Sequence, residues 1–236
     1  MDIKAVIQAG GMGTRLQPYT LVLPKPLMPV GGEPVLELLL KWLRRNGIQD
    51  IFLTTGYLGK LIKTVCGDGS QWDMNIAYTD EPEPLGTMGP LTLLGPEKLD
   101  RTFLVLNGDL ITDLSLHDFL RHHREHGAMV TVATTHKEVK IDLGVLDTKD
   151  NVMTGFREKP VMRFTVSMGI YCMEPEVLQH IPKNILFGFD DLMLSLLDKG
   201  IPVSTYQHSG LWLDIGRPDD FQRAQTIVAE NTVFLS

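Results

Sequence analysis

The chain has 236 residues, 43% of them hydrophobic, enough to bury the core of one large α/β domain or two small ones. Its 29 Asp and Glu outnumber 22 Lys and Arg, giving a formal charge of -7, and this excludes broad nucleic-acid binding, which needs clustered cations facing phosphates. No apolar run reaches the ~18 to 20 residues of a membrane helix, and the only cysteines, Cys66 and Cys172, stand far apart without metal-ligand spacing. Two buried free thiols in a reducing, cytoplasmic setting are therefore expected, with no targeting segment and no membrane or nucleic-acid partner.

The apolar run Ile3 to Ile7 reads as a buried strand that the following Gln8-Ala9-Gly10-Gly11-Met12-Gly13-Thr14-Arg15-Leu16 forces into a turn. Three glycines in four positions remove the Cβ atoms that would hold a backbone off a bulky anion, and successive free N–H groups make a concave anion site. Arg15 adds a fixed fork of donors suited to phosphate oxygens. Downstream, Pro24-Lys25-Pro26 presents one Lys on a backbone stiffened from both sides.

Glu33-Pro34 predicts a helix with proline at its first position, running from Val35 to Arg45 and stopped by Asn46-Gly47. Strands follow over Ile51 to Thr55 and Asn75 to Thr79, the alternation of a doubly wound parallel sheet, in which ligands sit beyond the carboxyl ends of the strands. Thr102 to Leu106 reads as a central strand buried on both faces and ends at Asn107-Gly108-Asp109. Ser115 with Asp118 resembles a capping box for a helix ending near Gly127, and Met129 to Thr135 reads as the next strand. Further strands are expected at 143–147, 152–157, 164–173 and 201–206, with helices near 175–180 and 189–199 and a last helix from Pro218 to Ala229. His122 and His126 lie one helical turn apart in Arg121-His122-His123-Arg124-Glu125-His126, but they lack a third ligand, so the run reads as a solvated helix face.

Gly-Gly-x-Gly-Thr-Arg-Leu followed by Pro-Lys-Pro resembles the signature of the sugar-1-phosphate nucleotidyltransferases, or nucleotide-sugar pyrophosphorylases. The likeness extends through Leu85-Gly86-Thr87, Asn107-Gly108-Asp109, Glu158-Lys159-Pro160 and Trp212-Leu213-Asp214-Ile215-Gly216, nearly the whole chain. It implies a Rossmann-like, doubly wound, mostly parallel mixed α/β sheet (the nucleotide-diphospho-sugar transferase fold) in one domain with two lobes. A nucleotide-binding lobe is expected over about 1–113 and a sugar-phosphate-binding lobe over about 114–236. The hexapeptide repeats that some relatives append are absent, so a stand-alone form is expected, and a homodimer is a family expectation.

The implied reaction has a sugar 1-phosphate oxygen attack the α-phosphorus of a nucleoside triphosphate, with pyrophosphate leaving in line. It needs positioned cations and backbone donors rather than a protein nucleophile, and the motifs contain no Ser-His or Cys-His pair. Asp109 and Asp214 each end an apolar segment where such loops gather, and two carboxylates meeting there would hold one Mg²⁺, leaving it mostly to phosphate oxygens and water. The resemblance points to the same two. Arg15 and Lys25 are assigned to the triphosphate and departing pyrophosphate. By resemblance, Lys159 takes the sugar phosphate and Glu158 the sugar hydroxyls, and Asn107, Gly144, Ser167 and Gly169 fall where relatives approach the sugar.

Ala9, Gly10, Gly11, Gly13 and Thr14, with Glu81, Gly86 and Thr87, are expected to hold the nucleotide. Glu81 precedes Gly86 where uridylyl and thymidylyl relatives tend to carry Gln, with Glu83 the alternative if the alignment slips. A carboxylate only accepts hydrogen bonds, which suits the two adjacent donors of guanine and opposes a uracil carbonyl, so GTP is favoured. The start and end motifs look like those of the mannose- and manno-heptose-1-phosphate guanylyltransferases. The alternatives are uridylyl or thymidylyl transfer to a glucose-like or amino-sugar 1-phosphate, a non-catalytic nucleotide-sugar-sensing subunit, and a glycosyltransferase on a related sheet.

Overall fold

The computed structural model describes residues 3–230. The first strand, β1 (Lys4–Gln8), ends at the glycine loop, and two short strands, β2 (Pro29–Val30) and β3 (Glu33–Pro34), lead into α1 (Val35–Arg45). There follow β4 (Asp50–Thr55), α2 (Gly59–Cys66), β5 (Asn75–Asp80), the single turn α3 (Leu91–Leu94), β6 (Phe103–Asn107), β7 (Leu110–Thr112) and α4 (Leu116–His126). The second half runs β8 (Val130–Lys140), β9 (Val145–Lys149), β10 (Val152–Arg157), β11 (Val161–Met173), α5 (Phe189–Asp198), β12 (Val203–Gln207), β13 (Trp212–Asp214) and α6 (Pro218–Glu230).

The main sheet has seven strands in the order β12-β8-β11-β6-β1-β4-β5. Pairs β1/β4, β1/β6, β4/β5 and β12/β8 are parallel, and β11 runs antiparallel to both of its neighbours. This is the mixed, mostly parallel, doubly wound α/β sheet expected, and the β6/β11 ladder carries it without a break from the first half of the chain into the second. β1 and β6 are apolar throughout their interiors because helices cover both faces. One face packs Leu36, Leu39, Leu40 and Leu43 of α1 with Phe119 and Leu120 of α4; the other packs Leu91, Leu94, Leu192 and Leu196. Each such side chain contributes about 1.5–3 kcal/mol on burial. Among the described residues no helix is long and apolar enough to cross a membrane.

Several boundaries differ from the sequence reading. Pro34 lies outside α1, extended at φ -57° and ψ 138° and paired in β3, so Val35 begins the helix. β8 runs on to Lys140 and β11 starts at Val161, because the two strands continue to pair as an exposed arm beyond the core. That extension is exposed, its apolar Val139 and Val161 included, so no core-facing alternation marks it. β9 and β10 pair with each other beside it. α2, α3, β7 and β13 had no sequence reading. Ser115 caps α4 by accepting from the Asp118 N–H at 3.3 Å.

The histidine run is not a wholly solvated face. His123 is 1% exposed, its Nδ1 lies 2.7 Å from the Thr131 hydroxyl and its Nε2 3.0 Å from Glu174 Oε1, while Thr102 Oγ1 donates to the same carboxylate at 2.8 Å. His122 sits 3.0 Å from Ser204 Oγ and stacks with His126. We expect His123→Ala to destabilise the fold by about 2–4 kcal/mol through a cavity and the loss of a buried partner. Urea denaturation checks this; an unchanged midpoint would show that the network contributes nothing. Both thiols are buried and free, with burial pushing Cys66 up to about 12 and Cys172 up as well, so neither is a poised thiolate.

Candidate active site

The glycine loop leaves β1 still tied to β4, with Ala9 N–H donating to Thr54 O at 2.9 Å and Gly10 O accepting from Tyr57 N–H. Gly13 adopts φ +61°, and a Cβ there would lie 3.0 Å from Thr20 and 3.2 Å from Lys25, so both the turn and the packing need glycine. The turn then closes into a 3-10 segment, Thr14–Leu16, whose Leu16 is buried while Thr14 and Arg15 stay exposed.

Lys25 is held as the two prolines predict. Pro24 is extended, Lys25–Leu27 forms a 3-10 turn closed by Leu27 N–H to Pro24 O at 2.8 Å, and Pro24 and Pro26 are buried. The Lys25 ammonium contacts the Asp109 carboxylate directly and lies 3.7 Å from Asp214 Oδ1. Burial pulls its pKa below the ordinary lysine value, against the opposing pull of Asp214 and with Arg15 reinforcing the shift.

Asp109 and Asp214, 105 positions apart by their numbers, meet through a two-stranded ladder between β7 and β13. Asp214 is in register with Leu110, and Ile215 N–H donates to Asp109 O at 3.2 Å. Trp212 supports this ladder, its indole N–H donating to Met168 O at 2.9 Å. Both carboxylates reach one ammonium, so together they present a site for a cation. No third carboxylate, imidazole or thiolate joins them among the described residues. That donor set fits Mg²⁺, which keeps most of its sphere for phosphate oxygens and water.

A cleft of about 490 Å³ opens at the carboxyl ends of β1 and β6. Ala9, Gly10, Gly11, Gly13, Thr14, Arg15, Lys25, Glu81, Gly86, Thr87, Asn107 and Asp109 all line it. Glu81 lines it and Glu83 does not. A Cβ on Gly10 would collide with the Glu81 carboxylate, whose other oxygen accepts from Leu85 N–H at 3.2 Å. Burial raises the Glu81 pKa above the ordinary carboxylate value, partly offset by that N–H. Gly86, at φ +78°, lets its loop lie against Phe187, where a Cβ would meet the carbonyl oxygen at 2.7 Å.

The residues predicted for the sugar phosphate gather less completely. Gly169 occupies a bulge of β11 at φ +72°, and a Cβ there would lie 2.5 Å from the Asn107 amide, so it borders the cleft through Asn107. Ser167 Oγ accepts from Gly169 N–H at 3.2 Å. Gly144 and Glu158 come together beside the arm, within 3.3 Å for a Cβ on Gly144, and Lys159 is exposed at φ +43°. Gly144, Glu158, Lys159, Ser167 and Gly169 do not line the cleft. Sequence reasoning missed Leu186, which lines the cleft while 68% exposed, and gave no role to Gln8, which lines its floor. An isolated leucine carries no motif, but Gln8 at the end of an apolar strand was a signal in itself.

The profile of the nucleotidyl transferase family matches residues 4–231. The chain is 35% identical to a UTP–glucose-1-phosphate uridylyltransferase from Synechocystis sp., over 94% of this chain and 62% of that protein. It is 33% identical to a mannose-1-phosphate guanyltransferase from Schizosaccharomyces pombe, over 93% and 62% respectively. The chain thus spans about 62% of the length of these curated relatives. In fold it is similar to HddC from Yersinia pseudotuberculosis, solved with GMP-PN, at a TM-score of 0.74 and 24% identity, covering 95% of this chain and 99% of that one. With a matching profile over almost its whole length and a sheet of the nucleotide-diphospho-sugar transferase type, the chain belongs to the nucleotidyl transferase family.

Proposed function

We propose that this chain joins a nucleoside triphosphate to a sugar 1-phosphate, giving a nucleotide-diphosphate sugar and pyrophosphate. The observation that carries this reading is the meeting of Asp109 and Asp214 on Lys25, with Lys25 and Asp109 themselves lining the glycine-rich cleft. A sugar-phosphate oxygen forms the new bond to the α-phosphorus, and the bond from that phosphorus to the bridging oxygen breaks as pyrophosphate departs. Backbone N–H groups of the glycine loop, with Arg15 and Lys25, hold the triphosphate and take up charge on the leaving group. Asp109 and Asp214 would hold Mg²⁺, which when bound would supply electrophilic neutralisation and a template for the two anions.

The division into lobes is part of the same reading: a nucleotide-binding lobe over about 1–113 and a sugar-phosphate-binding lobe over about 114–236, with Asn107 reaching the sugar from the first. In support, the cleft lining comes from residues 8–109 apart from Leu186. Glu158, Gly144, Ser167, Gly169 and Asn107 face the sugar, and Lys159 its phosphate. We favour GTP with a mannose- or manno-heptose-type sugar, on the carboxylate of Glu81 and the resemblance to guanyltransferases. The uridylyltransferase relative favours a second reading, uridylyl transfer to a glucose-like sugar.

The test is pyrophosphate release with Mg²⁺ across five nucleoside triphosphates crossed with mannose-, heptose-, glucose- and amino-sugar 1-phosphates. Release with GTP and a manno-configured sugar supports the full reading. Release with UTP or dTTP alone retains the reaction and removes guanine. Silence across the grid with nucleotide sugars still binding replaces it with a sensing subunit. Lys159→Ala should raise the KM for the sugar 1-phosphate by about tenfold or more, the worth of one charge-assisted contact, and leave the nucleotide KM nearly unchanged. Arg15→Ala should do the opposite, and a reversal between the two would exchange the placement of the anions.

A further inference from the structure

Gln8 ends β1 in register with Thr54 of β4 on one side and Asn107 of β6 on the other, and its carbonyl accepts from Gly108 N–H at 2.9 Å. Residues in register on parallel strands point to the same face, so these three polar side chains form a row across the strand ends. Gln8 and Asn107 line the cleft. Both amide atoms of Gln8 and the hydroxyl of Thr54 are buried without a hydrogen bond. A leucine would fill the same place without that cost, and folded interiors leave few such groups unless something else satisfies them.

The sheet order shows where Gln8 stands relative to the two ends of the cleft. Glu81 follows β5 on one side, Asp109 with Lys25 follows β6 on the other, and β1 lies between them in the order β6-β1-β4-β5. With the base at Glu81 and the phosphates at Lys25, the part of a nucleotide above Gln8 is its sugar. We propose that Gln8 reads the ribose of the bound nucleoside triphosphate, its carboxamide turning into the cleft to meet the 2′-hydroxyl and selecting ribonucleotides over 2′-deoxyribonucleotides. This rests on the nucleotidyl-transfer reading of the cleft.

The chemistry matches on both sides. A ribose hydroxyl donates one hydrogen bond and accepts others, and a carboxamide offers both an acceptor and donors. Turning the side chain gives up no hydrogen bond, because the amide makes none. A 2′-deoxyribose leaves that amide as it stands in the free chain, so only the ribo form gains the hydrogen bond.

The test is the dissociation constant, by calorimetry with Mg²⁺, of GTP against dGTP and UTP against dUTP for the unaltered chain, Gln8→Leu, Gln8→Met and Thr54→Val. The unaltered chain should bind the ribo form about tenfold tighter, the worth of one hydrogen bond. Either Gln8 variant should bring the ratio to about one by weakening only the ribo form, and Thr54→Val should keep it. A ratio near one in the unaltered chain, or an unchanged ratio in both Gln8 variants, overturns the assignment. A Thr54→Val ratio that collapses like that of Gln8→Leu also overturns it, and assigns the two side chains to a shared buried water. Absence of any nucleotide binding removes the nucleotidyl-transfer reading itself, whereas binding without ribose selectivity removes only the role of Gln8.

Discussion

Asp109→Asn and Asp214→Asn are each expected to lower Mg²⁺-dependent turnover by about 10²–10³, the loss that follows when one stabiliser of developing charge is removed. Each change preserves side-chain volume while removing a negative charge from a place where two carboxylates share one ammonium. On the proposed reading the loss should fall on kcat, because both carboxylates would act through the Mg²⁺ they hold, which would neutralise charge at the transferred phosphorus. The β7/β13 ladder and the Ile215 N–H bond to Asp109 use backbone atoms, so the thermal midpoint should change little. Mn²⁺ affinity, read by electron paramagnetic resonance, should weaken in both variants. Turnover near that of the unaltered chain in either variant would remove that residue from the metal site.

Glu81→Gln is expected to shift the preference for GTP over UTP by about tenfold to a hundredfold toward UTP, because one hydrogen-bond pair changes from matched to opposed. As a carboxylate Glu81 would accept from both guanine donors; as an amide it would donate to a uracil carbonyl and accept from the ring N–H. The same switch follows pH. Burial raises the Glu81 pKa, so its neutral acid form, which can donate, persists to higher pH than in an ordinary glutamate. GTP preference should therefore grow as pH rises through that raised pKa and shrink as pH falls through it. The Gln variant should lose this dependence. Competition kinetics with both triphosphates across pH measure it, and an unchanged ratio in Glu81→Gln would take Glu81 out of base selection.

The parts of the site legible in the chain are those whose chemistry requires an unusual backbone. Gly13 is glycine because it stands at φ +61° with Thr20 and Lys25 close against it, and a Cβ on Gly10 would displace the Glu81 carboxylate. Lys25 stands between two prolines because a short charged arm must be stiff to point at one place. Other features left no such mark. The arm beyond Thr135 is exposed, its apolar Val139 and Val161 included, so its pairing rests on cross-strand backbone bonds that no core-facing alternation announces. His123 looked like its solvated neighbours, yet its position on α4 turns it toward Thr131 and Glu174.

Sequence by itself determined most of the strands and helices, though not α2, α3, β7 or β13, together with the buried central strands and the glycine, lysine and aspartate motifs, since each follows from local periodicity and local backbone chemistry. Only the tertiary structure showed through which contacts these meet. Asp109 and Asp214 come to reach one lysine through a ladder of three residues on each side, too short to read as strands alone. Gln8, Thr54 and Asn107 become one row through the register of three parallel strands. The physical reason is the same in both cases: contacts between distant segments are set by strand order and register, which arise from burial summed over the whole sheet rather than from any one stretch of chain.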